Sequence, residues 1–208
     1  MSIIRSGADA TDLTVDTTSK AARVTLYDSA GRELSLGSKA TYMASNTFTP
    51  VATPTDLVII GGSGTKTVRV TSFKITTTNT AAGSQTFFLI KRSTANAGGT
   101  FVAGTAVPFD SNDAAATATV GHYTTNPTLG TGVGTIVTAR TASPVLVPAT
   151  FAGIVQDAGY DLLQFMDLTS TSRLVTLRGT AQQLCLNFSG AALVAGQIHA
   201  WQIAWTEE

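Results

Sequence analysis

Hydrophobic and polar residues alternate with a period of two along much of the chain, which is typical of β-strands with one buried face. Leu184, Leu186 and Phe188 form one such face, and Trp201, Ile203 and Trp205 form another. No window shows a sustained period of 3.6 residues. Threonine is the commonest residue, at 36 of 208, and its β-branched side chain favours strand over helix. The pattern therefore predicts an all-β protein.

The strands are predicted in the part of the chain after residue 50. They are Leu57–Ile60, Thr67–Thr76, Gln85–Arg92, Thr100–Val107, Ala114–Tyr123, Val133–Thr141, Leu174–Leu177, Gln183–Phe188 and Ile198–Thr206. Residues 149–166 mix signals, and either a short helical turn near 161–166 or a further strand fits them. Many short strands without crossover helices indicate a sandwich or a barrel, and we favour an antiparallel, jelly-roll-like β-sandwich.

Two strands have unusual patterns. In Thr67–Thr76 the apolar parity changes between Val70 and Phe73, and a β-bulge near Thr71–Ser72 would restore a single buried face. Gln85–Arg92 is apolar on both faces, which predicts a central strand or one at an interface. Its residues Phe87, Phe88 and Ile90 are the predicted self-association surface.

Charge is concentrated at the N-terminus, where residues 1–40 hold 10 of the 26 charged residues. The stretch Thr41–Asp56, which contains two prolines, is interpreted as a linker. The chain thus divides into an N-terminal arm, 1–50, and a β-sandwich body, 51–208. Residues 23–36 have a β-hairpin pattern, and a lone hairpin is marginally stable in water. Its predicted docking residues are Val24, Leu26, Tyr27, Leu34 and Leu36.

Composition excludes several function classes. The charged share is 12% and the net charge is zero, which argues against nucleic-acid binding and an electrostatic membrane-surface role. The sequence shows neither a transmembrane segment nor a signal peptide. A surface of small uncharged groups is weakly protected against self-association. It equally fits a secreted or thermally robust domain whose polar surface is made of hydroxyl groups.

Residues that could carry chemistry lack the partners that chemistry needs. His122, His199 and the single cysteine Cys185 stand in no motif with a second ligand or base, so structural roles are favoured. The cluster Asp110–Asp113 could bind calcium, but its spacing does not match an EF-hand and a turn is favoured. Residues 61–64 (GGSG) precede a strand rather than a helix, so a hairpin loop is favoured over a phosphate-binding loop. We expect no enzyme activity, metal or cofactor.

Several segments resemble structural proteins of tailed bacteriophages. Residues 23–34 (RVTLYDSAGREL) resemble an N-terminal element common in such proteins. Other segments are similar to a family of small phage virion proteins: 88–100, 107–118, 123–131 and 203–207. The resemblance implies association with a virion assembled in the host bacterial cytoplasm, and it carries over no active site.

These observations lead to one hypothesis with two rivals. The chain is predicted to be a structural virion protein that decorates or cements the capsid and self-associates, as a trimer. The first rival is a virion module that is associated with the neck or tail, or that binds a receptor or carbohydrate. A binding module of this kind should expose aromatic residues such as Tyr123, Tyr160 or Trp201 at a loop end. The second rival is a hydrolase, which no carboxylate motif supports.

Overall fold

The computed structural model describes residues 39–78, 83–143, 158–164, 174–193 and 196–208. These ranges contain strands and no helix, which confirms the all-β prediction. The strands are β1 (Ala40–Phe48), β2 (Asp56–Gly61), β3 (Thr67–Thr78), β4 (Gly83–Arg92), β5 (Phe101–Ala103), β6 (Val107–Pro108), β7 (Val120–Tyr123), β8 (Gly132–Ser143), β9 (Ala158–Gln164), β10 (Val175–Arg178), β11 (Gln183–Asn187) and β12 (Ile198–Glu207).

The strands form two antiparallel sheets that pack face to face. Sheet one has the order β10-β3-β12-β1-β6, and β9 pairs with β3 beside β10. Sheet two has the order β5-β7-β2-β11-β4-β8. The predicted β-sandwich is therefore confirmed.

The strand pairing is nested, which is the signature of a jelly roll. The first principal strand pairs with the last (β1 with β12), the second with the penultimate (β2 with β11), and β3 pairs with β9 and β10. The innermost pair is β4 with β8. A long antiparallel ribbon rolled onto itself gives this order, in which neighbouring principal strands mostly alternate between the two sheets. The short strands β5, β6 and β7 are an insertion that extends both sheets beside β2 and β1.

The core lies between the sheets and is built from the inward residues of both. Trp201, Ile203 and Trp205 of β12 are at most 2% exposed, as the period-two pattern predicts. The ring of Tyr42 stacks on that of Trp205 with centroids 5.7 Å apart. Burial of each large apolar side chain contributes about 1.5–3 kcal/mol to folding.

The predicted bulge in β3 is present. Ser72 pairs with Ala204 and Val70 pairs with Trp205, so Thr71 is the extra residue. Val70 and Phe73 consequently both point into the core and are fully buried. The parity change in the sequence was therefore a correct signal of the bulge.

The interpretation of Thr41–Asp56 as a linker is wrong. β1 occupies the first half of that stretch and lies inside sheet one, hydrogen-bonded to β12 on one side and to β6 on the other. Tyr42 and Ala44 are buried in the core. Residues 40–208 form one compact unit, so the body begins about ten residues earlier than the predicted boundary at 51. Ala44 is small, and Asn46, which shares the parity of Tyr42 and Phe48, is polar, whereas Met43 on the other face is apolar. The alternation that would have revealed the strand is therefore weak.

Other boundaries shift where the chain passes from one sheet to the other. The predicted strand Thr100–Val107 is split into β5 in sheet two and β6 in sheet one. Gly104 lies at this crossing, where a Cβ would come within 2.7 Å of the Trp201 ring. Residues 61–64 also connect the two sheets, from β2 to β3, so the predicted hairpin loop is a crossing.

Two remaining segments differ in part from their predictions. Of the predicted strand Ala114–Tyr123, only β7 at its end is a strand, and residues 114–119 are irregular. In the ambiguous stretch 149–166, β9 takes the strand alternative over residues 158–164.

Candidate interaction surface and buried polar clusters

The longest edge of sheet two is β8, a strand of 12 residues that pairs only with β4 among the described strands. From Gly132 to Ala139 it carries no charged side chain, and Arg140 is its one charged residue. Lysines, prolines, inward charges and β-bulges normally protect such an edge from pairing with another chain. β8 contains no lysine and no proline, although it carries two bulges, and from Gly132 to Ala139 it is the longest uncharged edge of sheet two in the described fold.

Two bulges on β8 expose its largest side chains. Val133 and Ile136 are the extra residues where the register with β4 shifts. Their side chains are 65% and 40% exposed. The bulges thus place two apolar side chains on a surface that nothing else in the described fold covers.

The structure separates the three residues predicted for self-association. Phe87 is fully buried between the sheets, where its ring meets that of Phe188 edge-on at 4.9 Å. It is not available to a partner. Phe88 and Ile90 lie on the opposite, outer face of β4 and are partly exposed, beside Thr138 and Thr135 of β8. Only these two adjoin the β8 surface.

The predicted docking residues Val24, Leu26, Tyr27, Leu34 and Leu36 lie outside the described residues. Their assignment to virion docking stays a prediction.

A buried ion pair joins Arg92, at the end of β4, to Asp56, at the start of β2. Arg92 donates from Nε to Asp56 Oδ2 at 2.5 Å and from Nη2 to Oδ1 at 2.9 Å. The side-chain amides of Asn187 and Asn96 also donate hydrogen bonds to the Asp56 carboxylate, at 2.6 and 2.8 Å. The bond to Asp56 raises the pKa of Arg92. Because Arg92 Nη1 also donates to the carbonyl of Gly130 at 2.6 Å, the pair fixes the loop that leads into β8.

A second buried carboxylate closes the end of β12. Glu207 accepts hydrogen bonds from the backbone nitrogen atoms of Thr117 and Ala118 at 2.9 Å and from Thr117 Oγ1 at 2.7 Å. Trp205 Nε1 donates at 3.1 Å, and Lys66 Nζ lies 3.5 Å away. Burial alone would raise the pKa of Glu207, but these hydrogen bonds outweigh it and lower the pKa below its ordinary value. The bonds hold the irregular segment 114–119 against the sandwich.

The remaining candidates for chemistry have structural surroundings. Cys185 is fully buried, and burial raises the pKa of its thiol well above the ordinary value. The Asp110–Asp113 segment is a turn, as favoured from sequence, in which Asp110 Oδ1 accepts the backbone NH of Asn112 at 2.9 Å. Among the described residues, no group of three or more His, Cys, Asp or Glu could hold a metal ion.

The aromatic residues that were to distinguish a carbohydrate-binding module are buried where the structure describes them. Tyr123 is 5% exposed and Trp201 is 2% exposed. The side chain of Tyr160 is outside the described set. A stacking platform for sugars therefore finds no support in Tyr123 or Trp201.

Sequence reasoning missed both carboxylate clusters. Asp56 directly precedes the apolar strand β2, and Arg92 ends the apolar strand β4. The chain has few charges, and these two stand at the ends of apolar strands. That placement was a usable signal for a buried ion pair. Glu207 gave no such signal, because its partners come from an irregular segment.

The comparisons with known proteins returned no match: no family model, no curated protein and no solved structure is significantly similar to the chain. No helix in the described residues has the length and apolar character needed to cross a membrane.

Proposed function

We propose that the chain is a structural virion protein of a tailed bacteriophage, which decorates or cements the capsid through an N-terminal arm and a self-associating β-sandwich. The observation that carries the self-association is the uncharged β8 edge with exposed Val133 and Ile136. The resemblance of five sequence segments to phage structural proteins supports the virion role.

The jelly-roll fold is compatible with this role. Jelly rolls occur in viral capsid domains and in lectins, although a fold alone does not determine function. The burial of Tyr123 and Trp201 disfavours the lectin-like alternative.

The polar clusters of the body support association rather than catalysis. The carboxylates of Asp56 and Glu207 are fully engaged with partners of their own chain. A general acid or base needs a lone pair or proton within reach of a substrate. Both carboxylates instead fix loops beside the strands.

Self-association would extend sheet two from one copy to the next. The NH and CO groups of β8 that no described strand pairs bind a strand edge of a second copy, and Val133 and Ile136 are buried in the contact. Because the net charge is zero, two copies of the chain have no net electrostatic repulsion. A stable interface of this kind buries about 800 Å² on each partner.

Sedimentation velocity of the full-length chain tests the self-association. We expect one species of three times the chain mass at neutral pH. The variant Val133→Lys/Ile136→Lys places two charges on the β8 surface and should sediment as a monomer with unchanged circular dichroism. The matched control Ala181→Lys/Ala192→Lys adds the same charges at exposed turns and should remain a trimer.

A wild-type monomer at every concentration would contradict self-association, since an obligate interface persists at working concentrations. A β8 variant that remains a trimer would place the interface elsewhere. The virion role is tested separately by quantitative immunoblotting of gradient-purified phage particles from the source. We expect a constant number of copies per particle, and recovery only in the soluble fraction would contradict the proposal.

A further inference from the structure

One end of the sandwich interior is lined by polar side chains that have, for at least one buried atom, no hydrogen-bonding partner among the described residues. Gln197, His199 and Trp201 point inward from the start of β12, and His122 points inward from β7. Each is at most 4% exposed. The unpaired atoms are His122 Nδ1, His199 Nε2, Trp201 Nε1 and both amide atoms of Gln197. Buried polar atoms without partners are costly and call for an explanation.

Both imidazoles contact the ring of one phenylalanine, Phe48. The Phe48 ring centroid is 4.5 Å from that of His122 in a stacked geometry, and 5.8 Å from that of His199. Phe48 and His199 belong to sheet one, whereas His122 belongs to sheet two. We call His122, Phe48 and His199 the histidine stack. It is a direct contact between the two sheets at this end.

No anion faces the histidine stack from the described elements packed against it. His199 meets Phe48 of β1, Thr77 of β3, Phe87 of β4, and Phe188 after β11. Thr77 Oγ1 lies 2.8 Å from His199 Nδ1 and is its one polar contact in this set.

His122 is likewise surrounded by uncharged side chains. It meets Phe48 and Trp201, and its strand neighbours are Val58 of β2 and Val102 of β5. The nearest strands do carry charges: Lys74 and the Asp56–Arg92 pair lie on outer faces, and Lys91 of β4, four residues beyond Phe87, donates to the carbonyl of Thr176 at 2.8 Å. A proton on either imidazole would therefore be buried without a counter-charge, which is strongly unfavourable.

The opposite end of β12 responds to acid in the same direction, but only in a lower pH range. There Glu207 is held as a carboxylate by its hydrogen bonds, and it keeps them until it is protonated. β12 thus has a histidine at its start and a bonded carboxylate at its end. Above pH 4.5, acid protonates the histidines only where they become exposed to water, and it leaves Glu207 ionised.

We propose that the histidine stack is an acid-sensitive contact between the sheets, which opens this end of the sandwich in mild acid while the Glu207 end stays closed. Opening exposes both imidazoles to water, so that each accepts a proton.

The direction of the pH effect follows from linkage. Burial lowers the pKa of His199 from 6.5 to about 4, and it also lowers the pKa of His122. Groups with a lowered pKa in the closed form favour the open form as the pH falls below 6.5. For His199 alone the ratio of open to closed form rises roughly 80-fold between pH 6.5 and pH 4, towards a limit of roughly 300-fold at lower pH, since each pKa unit corresponds to a factor of ten.

The two tryptophans of the chain report separately on the two ends. Trp201 contacts His122, whereas Trp205 donates to Glu207. In the variant Trp205→Phe the remaining Trp201 should shift its emission maximum to longer wavelength between pH 6.5 and pH 4.5, because water reaches it. In Trp201→Phe the remaining Trp205 should keep its emission maximum over that range. The wavelength is the readout, since protonated histidine quenches intensity directly.

A matched variant removes the titrating groups. Adding His122→Phe and His199→Gln to Trp205→Phe should abolish the shift above pH 4.5, because phenylalanine keeps the stacking and glutamine keeps a partner for Thr77. A shift that persists in this variant overturns the proposal.

Two further results would overturn it: coincident transitions of Trp201 and Trp205, or no change of Trp201 before pH 4.5. Hydrogen–deuterium exchange of the wild-type chain decides the question if a variant does not fold. Relative to pH 7.5, and after correction for the intrinsic rate, amides of β7 and of residues 198–201 should lose protection at pH 5, whereas residues 203–207 should keep it. Equal protection at both ends contradicts the proposal.

Discussion

Asp56 is the residue on which the outer face of sheet two most depends. Its carboxylate is fully buried and is the only anion among the hydrogen-bond partners of Arg92 in the described structure. Asp56→Ala leaves the guanidinium buried without a counter-charge, and we expect the free energy of unfolding to fall by about 3–5 kcal/mol. Urea denaturation at pH 7 measures the change.

The control for this prediction is Asp110→Ala, which removes the same charge from an exposed turn. It should change the free energy of unfolding by no more than about 0.5 kcal/mol. Equal effects of the two substitutions would show that the Asp56–Arg92 pair contributes little.

Glu207 should make stability depend on pH in the acid range. Because its hydrogen bonds lower the pKa in the folded state, it contributes stability above the unfolded-state value of 4.5, and this contribution is lost as the pH falls through the lower folded-state pKa. Urea denaturation between pH 5.5 and pH 3 should therefore show a steeper loss of stability for the wild type than for Glu207→Gln. Parallel curves would contradict the assigned pKa direction.

At the scale of the elements, β1 decides where the body begins. A chain of residues 51–208 lacks a strand that lies between β12 and β6 and that buries Tyr42, Ala44 and Phe48. We expect this truncation to be unfolded by circular dichroism, contrary to the boundary predicted from sequence. A chain of residues 39–208 should fold and, if the arm is the docking element, should fail to enter particles. A folded 51–208 chain would contradict the role of β1.

The crossing between β5 and β6 depends on a glycine. A methyl group on Gly104 would lie 2.7 Å from Cη2 of the buried Trp201 ring. Gly104→Ala should lower the free energy of unfolding by about 1–3 kcal/mol, as expected for overpacking a core. Gly134→Ala is the control, because no atom lies within 4 Å of the Cβ position there, and thermal unfolding should separate the two variants.

Sequence patterns predicted strands well where one face is buried and poorly where the chain changes sheets. The β3 bulge and the inward face of β12 followed from parity, because side chains alternate strictly along a strand. β1 was missed because Ala44 and Asn46 weaken its apolar face, Met43 is apolar on the other face, and two prolines follow soon after it. The split at Gly104 depends on a contact with Trp201, almost 100 residues away, that no local pattern contains.

At the scale of the whole molecule, the sequence predicted the class of fold, a β-sandwich, but not the nested pairing of its strands. A count of strands and the lack of helical periods indicate a sandwich, but the order of strands depends on long-range pairing between the first and last elements. The sequence placed the candidate interaction surface on β4, one strand away from the observed edge β8. One face of β4 is buried in the core, and the apolar residues of its other face lie beside the outward residues of β8. Sequence alone does not distinguish a neighbouring strand from a neighbouring molecule.

The central claim is that this β-sandwich functions as a building block of a virion. Cryo-electron microscopy of gradient-purified particles from the source, labelled with Fab fragments against the body, tests it most directly. The account predicts Fab density at regularly repeated positions on the capsid surface. Fab density confined to the neck or tail would contradict the capsid role, and particles without Fab density, with the chain recovered only in the soluble fraction, would contradict the claim as a whole.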